Sequence, residues 1–269
     1  MVLSSLPFLL SLLVFIFGAI VGSFLNVCIA RLPKEESIVS PPSHCLLCNT
    51  PIPFYDNIPL LSYVWLRGRC RFCGGKISPR YFIVEFLMAF FSLLLLNRFG
   101  LGLAFFANFI LVAALIVVAF IDLDLKIIPN VISLPGIVLG LLLSILQRPW
   151  PMDHLSVPPS PVSSILGIVL GSGFLTIVAL VYYAFTRVEG MGVGDIKLLA
   201  MIGAFLGWPS IPVTLFIASL SGSAVGLTFM LARGVGSKYA LPFAPFLCLG
   251  ALFYLFFGNL LIAIYPLLG

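Results

Sequence analysis

Ala119-Phe120-Ile121-Asp122-Leu123-Asp124-Leu125-Lys126-Ile127-Ile128-Pro129-Asn130 ends a long apolar run on a carboxylate. A carboxylate beside hydrocarbon is costly and reads first as a functional group. Gly190-Met191-Gly192-Val193-Gly194-Asp195-Ile196-Lys197 repeats the situation, with Asp195 at the margin of another apolar stretch 73 residues further on. The bland alternative for either aspartate is a side chain that snorkels to the lipid headgroups. Asp122 and Asp124, two apart, point about 200° away from each other on a helix, so a partner for Asp122 must come from another segment. Asp122 is the better candidate of the two, because it directly follows the unbroken apolar run.

The whole chain agrees with a membrane setting. Of 269 residues, 61% are apolar and 9% charged, and mean hydropathy is +1.22. A soluble domain carries about 25% charged residues. The expectation is an all-α polytopic membrane protein of about eight transmembrane helices with a small zinc-ribbon-like insertion. The first segment, residues 6–30, lacks a basic leader region and reads as a retained helix. Further spans are expected near 80–98, 101–121, 127–147, 163–187, 194–209, 210–232 and 240–265. Pro129 favours a helix start after the Asp122 segment. Three parts follow: a first helix (1–30), a polar four-cysteine module (31–80) and a seven-helix membrane domain (81–269).

Charge orients this arrangement. Seven of the fourteen basic residues lie in 31–80. By the positive-inside rule that module is cytoplasmic and the N-terminus is outside. Threading the spans puts twelve basic residues inside and leaves only Arg98 and Arg148 outside, with Asp122 and Asp195 both on the inner face. The net charge of +5 is thus explained by topology, and nucleic acid is not an expected partner; the lipid bilayer is. The proline-rich stretch Arg148–Pro161 reads as an exposed outer linker.

Cys45-Leu46-Leu47-Cys48 and Cys70-Arg71-Phe72-Cys73 are two Cys-x2-Cys knuckles 21 residues apart. Two such knuckles offer four thiolates to one tetrahedral zinc, and the spacing is close to that of zinc ribbons. Four thiolates leave no open position for water, so this zinc is structural. Redox pairs or disulfides are the alternative, disfavoured by a reducing compartment. His44 reads as a bystander, and Cys28 and Cys248 as small packing residues inside spans.

Two carboxylates held close share one proton and titrate as a pair. The ionised one can deprotonate water while the protonated one polarises a carbonyl. Gly190, Gly192 and Gly194 allow close backbone approach beside Asp195. Asp122 and Asp195 therefore read as the acid/base pair of an intramembrane aspartyl peptidase. The chain has no His-Glu-x-x-His helix and no Gly-x-Ser-x-Gly elbow, and its two histidines, His44 and His154, supply a catalytic triad poorly. A proton- or cation-coupled transporter is the rival of a different class. A zinc-stabilised scaffold without chemistry leaves the aspartates unexplained.

The motifs together resemble the bacterial type IV prepilin peptidases, or leader peptidase/N-methyltransferases. The resemblance runs from Gly22-Ser23-Phe24-Leu25-Asn26-Val27 and Arg31-Leu32-Pro33 through the knuckles. It includes Asn57-Ile58-Pro59, Leu66-Arg67-Gly68-Arg69-Cys70, Ile77-Ser78-Pro79-Arg80-Tyr81 and Glu85, the Asp122 segment, and Gly-x-Gly-Asp at 192–195. It implies a bacterial inner-membrane enzyme that removes the basic leader of type IV prepilins or type II secretion pseudopilins. Cleavage would fall after a glycine on the cytoplasmic side, with Asp122 and Asp195 catalytic. It also implies N-methylation of the new terminus from S-adenosylmethionine, with a peptidase lacking the methyltransferase activity as the alternative.

Departures from the pattern are Leu46 after the first cysteine, Phe82 after Tyr81, Asn130 where aspartate is common, and Ala244 where glycine is usual. None removes a carboxylate or a thiol. Asn26, Arg31 and Glu85 could line a cofactor pocket or equally anchor the metal module. Lys197 reads as snorkelling. Gly192, Gly194, Pro242 and Pro245 are expected next to substrate, where the proline-broken backbone of Pro242-Phe243-Ala244-Pro245 could pair with an extended peptide.

Overall fold

A computed structural model describes residues 8–146, 159–187, 192–233 and 241–264. Arg148, His154, Gly190, Lys238 and most of the Arg148–Pro161 linker lie outside them. Among the described residues the chain is all-helical, and its only β-pairing is two isolated bridges. Five helices are long and apolar enough to cross a membrane, and two shorter apolar helices accompany them. Each of the eight expected positions holds a helix.

The chain forms two compact units, residues 1–105 and 106–269. The first thus takes in the helix 80–99, which the three-part reading of the sequence had grouped with the later membrane helices. The physical reason is its packing on the first helix.

In the first unit, α1 (Phe8–Arg31) and α3 (Arg80–Phe99) pack antiparallel. A Cβ on Gly18 would strike Ala89 and Ser92, one on Gly22 would lie 2.7 Å from Glu85 Cα, and Asn26 Nδ2 donates to the Tyr81 carbonyl at 3.1 Å. Lipid gives helices no hydrophobic reason to associate, so close backbone approach over small residues and interhelical hydrogen bonds must do it. Between them lie the cysteine module, a 3₁₀ turn at Phe54–Asp56 and the short helix α2 (Leu61–Trp65). α3 stops where Gly100, at φ 65°, turns the chain out of the helix and donates to the Leu96 carbonyl.

The second unit contains all but the first residues of α4 (Leu103–Leu125), then α5 (Asn130–Leu146), α6 (Pro161–Thr186), α7 (Val193–Leu206), α8 (Ser210–Arg233) and α9 (Ala244–Ile264). α6 opens with Ser160 as N-cap, its hydroxyl accepting from the Ser163 amide, and Pro161 at the first helical position. α7 is the inner helix. Every residue from Leu198 to Leu206 is buried, and it ends at Gly207, φ 76°, short of the span 194–209 expected from hydropathy.

α5 and α6 both reach α7 over glycines. Gly167 and Gly203 face each other so closely that a Cβ on either would overlap the other's carbonyl, and a Cβ on Gly140 would lie 2.9 Å from the Ala204 Cβ. Ser164 Oγ adds a 2.9 Å bond to the Ala204 carbonyl. α8 and α9 meet in the same manner, Gly250 against the Thr214 backbone.

Candidate functional site

Asp122 lies in the last turn of α4 and is 5% exposed, whereas Asp124 is exposed. The helix ends one turn later as Lys126, at φ 57°, donates its amide to the Asp122 carbonyl. The Asp122 side chain is met from across the unit: the backbone N–H of Ala244, first residue of α9, donates to its Oδ2 at 3.1 Å. A helix N-terminus carries unpaired amides and partial positive charge, so it suits a carboxylate.

Asp195 stands in the first turn of α7, its amide donating to the Gly192 carbonyl. Gly194 lets the start of α7 approach the chain beyond Asp122, since a Cβ there would lie 2.9 Å from the Ile128 Cβ. Lys197 Nζ donates to Asn130 Oδ1 at 2.8 Å. It braces α7 against the start of α5, where the sequence had suggested snorkelling.

The two carboxylates come together. Asp122 is near enough for its charge to act on Asp195, and both act on the buried thiol of Cys248. Sequence reasoning had treated Cys248 as packing. It is one helical turn beyond Ala244, and that i, i+4 relation becomes informative only once Ala244 is known to face Asp122. Gly192 lies beside Asp195, where a Cβ would be 3.6 Å from its Oδ2. Pro242 and Pro245 flank the Phe243–Ala244 peptide that supplies the N–H to Asp122. The site thus holds two carboxylates, one of them hydrogen-bonded, at helix ends.

The four cysteines of the module also converge: their Sγ atoms all lie within 4.8 Å of one another, with Cys45 and Cys73 at 3.8 Å. A tetrahedral zinc with bonds of about 2.3 Å sets its sulfurs about 3.8 Å apart, so the donor set fits that metal. The two knuckles have one backbone design. Cys45 N donates to Thr50 O and Asn49 N to Cys45 O; likewise Cys70 N donates to Gly75 O and Gly74 N to Cys70 O. Asn49 and Gly74 both have left-handed φ, and His44 bridges Pro51 as Arg69 bridges Lys76. Thr50, through its hydroxyl and then its amide, lowers the Cys48 thiol to about 6. The amides of Cys73 and Phe72 lower Cys70. These groups favour thiolates at Cys48 and Cys70. At Cys73, against a lowering backbone hydrogen bond from Gly75, desolvation and the neighbouring cysteines push the thiol up to about 11. Asn49 does in the first knuckle what Gly74 does in the second, a correspondence the sequence reading overlooked.

Asn26, Arg31 and Glu85 are engaged by the chain itself. Arg31 donates to the carbonyls of Ser37 and Pro41 at 2.9 and 2.7 Å, tying down the segment after α1. Glu85 Oε2 accepts from the Leu60 amide at 2.8 Å, holding the module to α3. Asn26 spends its amide hydrogens on Gly22 and Tyr81, leaving its buried Oδ1 without a partner among the described residues. As they stand, these residues are held by bonds within the chain and do not fit S-adenosylmethionine as a formed pocket.

Comparison with known proteins is consistent across the chain. Residues 16–99 match the bacterial peptidase A24 N-terminal domain, and 109–227 match the type IV leader peptidase family. No solved structure matches. Similar proteins bear the name prepilin leader peptidase/N-methyltransferase. That of Aeromonas salmonicida is 36% identical, covering 94% of this chain and 93% of its own. That of Xanthomonas campestris is 34% identical over 90% and 89%, and that of Pseudomonas aeruginosa 32% over 96% and 93%. With relatives matched over nearly their whole length, and the paired aspartates and four cysteines each gathered by the fold, the chain belongs to the type IV leader peptidase family.

Proposed function

We propose that this chain is an intramembrane aspartyl endopeptidase that removes the leader of type IV prepilins or type II secretion pseudopilins, and that it N-methylates the new terminus. The observation that carries the peptidase reading is the meeting of Asp122 and Asp195 in one site, with the Ala244 amide on Asp122. That amide favours the charge on Asp122, so the shared proton rests on Asp195. Asp122 takes a proton from water as the water oxygen attacks the scissile carbonyl carbon, and Asp195 donates to the carbonyl oxygen. The tetrahedral intermediate collapses with cleavage of the C–N bond, the leaving amine receives a proton, and the pair regains its single shared proton. Pro242, Pro245, Gly192 and Gly194 border the peptide path.

The substrate's apolar helix lies among the spans, with its scissile bond after glycine at the cytoplasmic boundary of the inner membrane. Eight spans with both termini outside place the twelve inner basic residues accordingly. Cys45, Cys48, Cys70 and Cys73 hold zinc, which cross-links the two knuckles and takes no part in hydrolysis. The relatives' shared name supports the methyl transfer, with S-adenosylmethionine as methyl donor. Arg31 and Glu85 anchor the module.

The test is cleavage of a prepilin by purified wild type, Asp122→Asn and Asp195→Asn, with mass spectrometry of the product. Both variants stay folded and lose leader removal by orders of magnitude, and wild type with S-adenosylmethionine yields a product heavier by one methyl. A folded variant cutting at the wild-type rate sinks the dyad.

A further inference from the structure

The chain leaves the bilayer at Arg31 and returns at Arg80. Because α1 and α3 are antiparallel, the two ends of this segment are tied to the same membrane boundary. The surface of this segment is unlike that of a water-facing domain. Phe54 and Trp65 are 86% and 83% exposed. α2 sets Leu61, Val64 and Trp65, all exposed, at i, i+3 and i+4, hence on one face.

The Phe54 segment is not a loose loop. Ser62, inside α2, donates to the Tyr55 carbonyl at 3.1 Å and accepts from the Ile58 amide at 3.2 Å, and Phe54 packs edge-on against Tyr55.

Charge points the same way. Residues 31–80 carry seven basic and three acidic side chains, a net +4. Of the acidic ones, Asp56 is taken up by a two-pronged pair with Arg71. Arg67 and Arg69, just after α2, and Lys76, which forms a β-bridge with Arg69, are exposed. Exposed tryptophan beside basic side chains suits the headgroup level of a bilayer, where the ring sits at the apolar boundary and the cations meet lipid phosphate.

We propose that α2 and the Phe54–Asp56 turn form a platform that seats the metal module on an anionic bilayer surface. Trp65, Val64, Leu61 and Phe54 enter the interface, and Arg67, Arg69 and Lys76 contact lipid phosphates. Anchoring at both ends by α1 and α3, with Glu85 of α3 holding the Leu60 amide beside α2, favours the bilayer over a soluble partner, and the positive charge disfavours a basic leader peptide as occupant.

The test uses the full chain with Trp150→Phe and Trp208→Phe, leaving Trp65 as the sole tryptophan. In nanodiscs containing phosphatidylglycerol and lipid brominated near the carbonyl end of its acyl chains, Trp65 emission shifts to the blue and loses intensity. Both effects shrink in pure phosphatidylcholine and at high salt. Trp65 quenched by aqueous iodide but not by brominated lipid overturns the proposal, as does equal lipid quenching in neutral discs. Emission that stays water-like until a prepilin is added also overturns it and assigns the face to a peptide. Should the single-tryptophan chain fail to fold, hydrogen exchange over 54–65 in the unaltered protein reads the same surface. Slower exchange in anionic than in neutral discs is expected, and equal exchange overturns the platform. Neither readout depends on peptide cleavage, so failure here leaves the catalytic reading untouched.

Discussion

Asp122 and Asp124 are two residues apart, yet only the first is withdrawn from solvent and meets an amide of α9. That amide is open to a direct test, because proline is the one residue that deletes a backbone donor, and the first position of a helix tolerates it. Ala244→Gly keeps the N–H and should keep leader cleavage within a few-fold. Ala244→Pro should lower kcat by between about 10- and 100-fold, since a hydrogen bond to a charged group is worth about 1.5–3 kcal/mol. Equal rates for the two variants would leave the Ala244 contact without a catalytic part. The module allows a second test. The hydrogen bonds from Arg71 hold the Asp56 carboxyl below its ordinary value. A carboxyl depressed in the folded state stabilises above its unfolded value of about 3.9 and ceases to as pH falls through the folded one. Wild type should therefore be more stable than Asp56→Asn at pH 7, by hydrogen exchange over 54–71, with the gap closing below about pH 4. The choice of Asp122 and Asp195 was legible in the sequence from their place at the ends of apolar runs. The Ala244 amide and Cys248 were not, since nothing local to residues 244–248 refers to a carboxylate 122 positions earlier.

α7 shows how an element can be located by hydropathy and still be misjudged. The apolar stretch suggested a span over 194–209, but the helix stops at Leu206 and buries its second half against α5 and α6. An element apolar on all sides has no pattern that separates a lipid-facing from a protein-facing surface. What places α7 is the Gly167–Gly203 contact, where the neighbour is backbone and cannot rotate away. Gly203→Val should destabilise the protein by about 1–3 kcal/mol or more, and Ser164→Ala, which removes one interhelical hydrogen bond, by about 0.6 kcal/mol. Thermal unfolding in detergent orders the two. A Gly203→Val chain as stable as Ser164→Ala would mean that α6 and α7 do not approach over these glycines.

At the level of the whole molecule, the cysteine cluster and the aspartate pair lie in different compact units, residues 1–105 and 106–269. Removing the metal should therefore disorder the first without abolishing hydrolysis in the second. Purified wild type should carry about one zinc per chain, and Cys45→Ser together with Cys70→Ser should lose it, as measured by elemental analysis. The same double variant should show faster hydrogen exchange over 44–76 and still cleave leader at a measurable rate. Membrane class, the positions of the eight long apolar helices and the two knuckles were set by the sequence alone, because composition, hydrophobic run length and Cys-x2-Cys spacing are local properties that survive without knowledge of neighbours; the short α2 inside the polar module was not. The Ala244 amide on Asp122, the Lys197 brace on Asn130 and the Glu85 hold on Leu60 were decided by tertiary structure. Their partners are 122, 67 and 25 positions apart, and they meet because glycine-lined helix faces let backbones approach in a medium where burial alone favours no particular pairing.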